Sequence, residues 1–121
     1  MLPADLFAHH PAFTDLWLGN NRLSGTLPGA WGASATKLAD LSVSKNRLSG
    51  PAFPRGWLQS GAMPKLEKAY LNENPQLTGT LPASLAWSQL SILDAHGCAL
   101  LNGTFPARWY RAPFAASLFQ L

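Results

Sequence analysis

Apolar residues recur along this chain in a fixed frame. An apolar residue, two others, a second apolar residue, one other and a third apolar residue lead, after two more residues, to Asn. A Leu-x-Gly step and an apolar-Pro pair follow. The first unit reads Phe13, Leu16, Leu18, Asn21, Leu23, Gly25, Leu27, Pro28, and the second Leu38, Leu41, Val43, Asn46, Leu48, Gly50, Phe53, Pro54. The third reads Leu66, Ala69, Leu71, Asn74, Leu77, Gly79, Leu81, Pro82, and the fourth Leu90, Leu93, Ala95, Cys98, Leu101, Gly103, Phe105, Pro106. Only Ala69, Ala95 and Cys98 depart from the strict residue type. Leu2-Pro3 has the form of the tail of an earlier unit, and Phe119-x-Leu121 that of the opening of a fifth strand. The whole chain, 1–121, therefore reads as one domain of about four repeats with partial repeats at both ends.

The frame predicts its own elements. Alternation such as Leu16, Trp17, Leu18 puts two side chains inward and one outward on a short strand. Strands are expected near 15–19, 40–44, 68–72 and 92–96. Repeats of this kind stack side by side, so the strands form a parallel sheet on the concave face of a solenoid. The prolines fix φ where the chain leaves for the convex side, which is expected to hold loops and short 3₁₀ or α turns, for example around 83–87. A buried Asn can donate to and accept from backbone groups in the turn, so Asn21, Asn46 and Asn74 are expected to form a structural ladder. Cys98 takes its fourth rung as a buried structural thiol. Gly25, Gly50, Gly79 and Gly103 are expected at bends where backbone packs on backbone. Three residues after each Pro stands a further column, Leu6, Trp31, Trp57, Leu85 and Trp109, read as convex-side core.

This frame, with its Leu-x-Gly-x-Leu-Pro continuation, resembles the leucine-rich repeat, specifically the plant-type subclass found in extracellular receptor and inhibitor proteins. The Asn positions lie 25, 28 and 24 residues apart (21 to 46, 46 to 74, 74 to 98), within the roughly 20–29-residue period of that class. The resemblance covers essentially the whole chain. It implies a right-handed coil, a fragment of a longer solenoid, and a partner surface on the concave sheet. It also implies that Cys is tolerated at the Asn position.

Composition narrows the possibilities further. Of 121 residues, 47% are hydrophobic and only 12% charged, enough to build a core and too apolar for a disordered segment. The net charge is +3, but the basic residues are scattered singly, so nucleic acid is not an expected partner. One cysteine excludes an internal disulfide. No run approaches the roughly 18 apolar residues of a membrane span, and the N-terminus lacks the parts of a signal peptide. Asn102-Gly103-Thr104 is a glycosylation sequon, which with the resemblance points to an extracellular or cell-surface setting and a glycan on Asn102.

The outward face supplies the candidate binding residues. Its central column is Trp17, Ser42, Tyr70, Asp94, beside Gly19, Ser44, Asn72, His96 and then Asn20, Lys45, Glu73, Gly97. Asp15, Asp40, Lys68 and Ile92 form the other flank. Trp17 and Tyr70 are large anchors of the sort that dominate interfaces. Lys45 and Glu73 are lateral neighbours that can pair with each other. Asp94 and His96 share a face as a general-base pair or two metal ligands would, but Asn72 is the expected neighbour of His96 and a third group is missing. His9-His10-Pro11 reads as an exposed loop. No catalytic residue, metal site or cofactor is assigned. The leading reading is a non-catalytic recognition module for a protein or peptide. A cell-wall glycan binder and a structural spacer of a receptor-like ectodomain are the alternatives. Uncapped ends add an expectation of self-association.

Overall fold

The computed structural model describes residues 1–80 and 87–102. Two four-stranded parallel sheets run the length of the coil. The first holds β1 (Asp15–Trp17), β3 (Asp40–Ser42), β5 (Lys68–Tyr70) and β7 (Ile92–Asp94). The second holds β2 (Ser24–Thr26), β4 (Arg47–Pro51), β6 (Gln76–Thr80) and β8 (Leu100–Asn102). Opposite the first sheet lie short helical turns: α1 (Leu6–His9), α2 (Trp31–Ser34) and a 3₁₀ turn at Arg55–Leu58. The molecule is a right-handed parallel β-solenoid, one strand of each sheet per turn.

Register follows the repeat. Leu16, Leu41, Ala69 and Leu93 are successive partners across the first sheet, and Trp17, Ser42, Tyr70 and Asp94 form the adjacent row. The strands proper are three residues long, yet cross-strand bonding runs on beyond them. Leu18 N–H donates to Ser42 O at 2.8 Å, Asn20 N–H to Ser44 O at 2.9 Å, and Glu73 N–H to His96 O at 2.8 Å. The chain then turns sharply: Asn20, Lys45, Glu73 and Gly97 form one left-handed column, with φ of 61°, 55°, 58° and 75°. Asn and Gly adopt this conformation readily, whereas Lys and Glu do so at a cost of roughly 1 kcal/mol. At Gly97 a Cβ would also press on the Glu73 backbone, 3.2 Å from its Cα.

The second sheet is not foreseen in the sequence reading, which assigned the stretch after Asn to turns and loops. Its strands carry no long run of alternating apolar residues. β4, β6 and β8 each bury a single leucine, Leu48, Leu77 and Leu101, and β2 buries none. Lateral backbone bonding between stacked repeats makes these strands, and a periodicity test within one repeat does not detect it. The repeat glycines are corrected here too. Gly25, Gly50 and Gly79 sit in this sheet with φ of 88°, 74° and 109°, and nothing lies within 4 Å of a Cβ built on Gly79. Their shared requirement is dihedral; the close neighbours of a Cβ at Gly50 and Gly25 are side chains, Thr26 at 3.0 Å and Met1 at 3.3 Å, and not backbone. Backbone-on-backbone contact occurs instead in the convex turns, where a Cβ on Gly32 would collide with the Gly56 carbonyl and one on Gly56 with that of Gly29.

Between the sheets and the turns lies one core. Leu38, Leu41, Val43, Leu48, Leu66, Leu71, Leu77 and Leu90 are fully buried in it. Trp31, Trp57 and Trp87 form an aromatic spine with centroid spacings of 6.5 and 6.3 Å. Phe7 closes its N-terminal end edge-on to Trp31 at 5.1 Å, so the first member of the column is Phe7 and not Leu6, which is half-buried. Each of the first two indoles donates to a proline carbonyl of the preceding coil: Trp31 to Pro3 at 2.9 Å and Trp57 to Pro28 at 2.8 Å. Indole N–H groups buried this way are satisfied while the rings pack. Leu81, Pro82, Leu85, Gly103, Phe105, Pro106, Trp109, Phe119 and Leu121 lie outside the described residues, as does most of the turn expected around 83–87.

The Asn column divides by position along the coil. Asn74 is wholly buried; its amide donates to Val43 O and Leu71 O, both at 3.0 Å, while its Oδ1 accepts from Leu48 N–H at 3.2 Å. Asn46 repeats the pattern, donating to Leu18 O and Val43 O and accepting from Leu23 N–H. Each Asn thus ties its own turn to the preceding one. Cys98 is buried and donates its thiol to Leu71 O at 3.3 Å, which keeps one donor of the amide. Asn21 differs from the buried rung expected of it. It is exposed and bonds only within its own turn, to Leu18 O and Gly19 O. The physical reason is position: among the described residues no earlier strand stacks against β1.

Candidate functional site

The outward row of the first sheet is where side chains are released from packing. In-register pairing sets Trp17, Ser42, Tyr70 and Asp94 side by side. Trp17 is 68% exposed, an unusual position for an indole that makes no core contact. Tyr70, Ser42 and Asp94 are half-buried; Ser42 and Tyr70 have strand neighbours on both sides, whereas Asp94 pairs only with Tyr70 among the described residues. A shallow groove of about 580 Å³ runs over this row, lined by Trp17, Gly19, Asp40, Ser42, Ser44, Tyr70, Asn72 and Asp94.

Small residues hollow the groove between larger ones. Gly19 leaves room that a side chain would contest with Ser44, whose Oγ lies 2.9 Å from a built Cβ. Ser42 and Ser44 face one another, their hydroxyls 3.3 Å apart. Asp40 stands at one margin, in register between Asp15 and Lys68. Its Oδ1 is closed to solvent and has no hydrogen-bond partner among the described residues.

The other margin carries a chain of ionisable side chains. His96 Nδ1 lies 2.6 Å from Asp94 Oδ1, which also accepts the His96 backbone N–H at 3.1 Å. His96 Nε2 lies 3.7 Å from Glu73 Oε2, and Lys45 Nζ lies 3.9 Å from the same oxygen. Glu73, not Asn72 alone, is therefore the neighbour of His96; Asn72 instead donates to Glu73 at 3.5 Å. The sequence reading missed this because Glu73 occupies the left-handed turn position, one step beyond the strand alternation it used.

What this margin can do chemically is limited. An Asp–His pair orients an imidazole, but general-base catalysis needs a hydroxyl, thiol or water placed at the other ring nitrogen. Here the nearest side chain on that side is a carboxylate. Among the described residues no group of three or more His, Cys, Asp or Glu is placed to hold a metal ion. The Lys45–Glu73 pair is half-exposed, 57% and 46%, and pairs of that kind contribute little.

The remaining sequence-predicted residues fall elsewhere. Asn20 is exposed in the first left-handed turn. Asn102 is exposed at the end of β8, where its Oδ1 accepts the Thr80 hydroxyl at 2.8 Å; Gly103 and Thr104 of its sequon lie outside the described residues. His9 ends α1 and meets Asp5 at 3.2 Å, so the pair of histidines begins in a helical turn and not wholly in a loop. His10 stacks on Phe13 at 4.7 Å. Among the described residues no helix is long and apolar enough to cross a membrane.

Residues 13–33 match the family model described as Leucine Rich Repeat, a stretch that takes in β1, β2 and most of α2. No curated protein and no solved structure matches the chain. The chain thus carries a leucine-rich-repeat-like motif at 13–33 within a solenoid of parallel sheets.

Proposed function

We propose that the chain is a non-catalytic recognition module that binds a protein or peptide across the first sheet. The observation that carries this reading is Trp17, an indole held 68% exposed on a strand whose other face is committed to the core. Exposed aromatics flanking small polar residues are the composition of an interface hot spot. The groove beside Trp17 gives an extended segment a place to lie. On this reading the repeats continue the plant-type pattern of their sequence, and the setting is extracellular, with Asn102 as a glycan acceptor on the exposed end of β8.

The test is a peptide-display selection on the 121-residue protein, repeated on Trp17→Ala and Tyr70→Ala. Binding is expected to fall at least tenfold in each variant, the loss typical of a truncated hot spot, with melting temperature unchanged. Peptides that bind all three proteins equally would remove the reading. A second reading, cell-wall glycan binding, draws on the same feature, since sugars stack on exposed indoles. An oligosaccharide array separates the two, and a face that retains neither ligand class would leave only a spacer role.

A further inference from the structure

The groove has a charge character that the aromatic residues alone do not account for. Its lining carries two carboxylates, Asp40 and Asp94, and no cationic side chain, in a chain whose net charge is +3. The two acids are not equivalent. Asp94 is engaged by both the imidazole and the backbone N–H of His96. Asp40 has an oxygen withdrawn from solvent without a hydrogen-bond partner and forms no ion pair among the described residues. Lys68 is its neighbour in register, but does not line the groove. Asp15, its neighbour on the other side, adds a second acid at the rim.

Two positions along β3 from Asp40, on the same face, sits Ser42, flanked in register by Trp17 and Tyr70. An aromatic, a hydroxymethyl and an aromatic on three adjacent strands leave a slot whose walls are about 10 Å apart, two strand spacings. A cation over an indole face is drawn to the ring's electron-rich centre, and a carboxylate close by adds a partner for its N–H donors.

Resting on the recognition reading above, we infer that the groove receives an arginine side chain of an extended peptide partner. Its stem crosses Ser42 between Trp17 and Tyr70, and its guanidinium pairs with Asp40. Arginine fits better than lysine because one planar group can lie against a ring and donate from its edge at the same time. A neutral sugar would stack on the rings and donate hydroxyls to the acid, but would leave its charge unneutralised.

The test begins with a random-peptide selection on the whole chain, followed by titration of a selected peptide and its citrulline counterpart, which keeps the shape of arginine and removes the charge. Selected peptides are expected to share one arginine. Replacing it with citrulline, or the protein's Asp40 with Asn (Asp40→Asn), should each weaken binding about tenfold or more, and raised salt should weaken it further. Should Asp40→Asn fail to fold, the citrulline comparison on the unaltered protein decides the matter. Peptides that depend on Trp17 and Tyr70 but show no basic preference, and bind Asp40→Asn unchanged, would overturn this inference and leave the recognition reading standing. Failure to select any peptide dependent on this face, with cellohexaose perturbing Trp17 instead, would overturn both.

Discussion

At the scale of single residues, burial decides what a repeated position contributes. Asn21 and Asn74 occupy the same place in the frame, but Asn74 satisfies groups on two coils out of reach of water, whereas Asn21 serves its own exposed turn. Truncating Asn74 to Ala leaves buried donors and acceptors unmatched and is expected to cost about 2–4 kcal/mol. Asn21→Ala should cost well under about 1 kcal/mol, a contrast that urea denaturation of the two variants measures directly. Cys98 tests the same column through its ionisation. Burial foremost, with the nearby Asp94 charge adding to it, pushes the thiol pKa up, against a smaller opposing effect of a backbone hydrogen bond at Asn74. A thiol that ionises less readily when folded stabilises the fold fully below its unfolded pKa and loses that contribution as pH rises through the folded value. Stability should therefore fall as pH climbs above the ordinary thiol range near 9.0, more steeply than in Cys98→Ala. Identical slopes would show that the thiol is not shielded.

At the scale of elements, the first sheet was legible and the second was not. Alternation around Leu16, Leu41 and Leu93 marks strands with one face inward, and the structure pairs those residues in a row. The second sheet arises between repeats, from lateral backbone bonding that no single repeat displays. The tryptophans after Pro28 and Pro54 were readable as core because they are locked to the period. Trp87, two positions past the frame position at 85, joins the same stack and escaped that reading. The convex turns depend on close backbone approach, which sequence indicates only as the presence of glycine. Gly32→Ala forces a methyl against the Gly56 carbonyl, and since backbone on both sides has to move, a loss of about 2–4 kcal/mol is expected. Thermal melting checks it; a change below about 0.5 kcal/mol would mean that the turns are not stacked as described.

At the scale of the whole molecule, the two faces of the coil divide the work. Packing consumes the inward rows and the aromatic spine, and what the first sheet presents outward is released from packing. The candidate site was readable as a column of positions; its internal chemistry was not. That Asp94 is occupied by His96 while Asp40 is uncompensated depends on side-chain geometry, which a row assignment does not supply. The N-terminal end of the coil is only partly covered. α1 places Phe7 over the spine, but Leu16, Leu18 and Leu23 remain half-buried and Phe13 exposed. We expect this end to promote self-association, so that sedimentation of the isolated chain shows mass rising with concentration. A monomer at all concentrations, melting in one cooperative step, would refute that expectation.

Register is the property on which both core and groove depend, because a slip of one residue exchanges the two faces of every strand. NMR measurement of cross-strand contacts between backbone protons reads it directly. The expected result is a continuous row linking Leu16, Leu41, Ala69 and Leu93, with Trp17, Ser42, Tyr70 and Asp94 aligned beside it. A row in which Trp17 pairs with Leu41, or in which neighbouring strands run antiparallel, would contradict the fold and remove the groove with it.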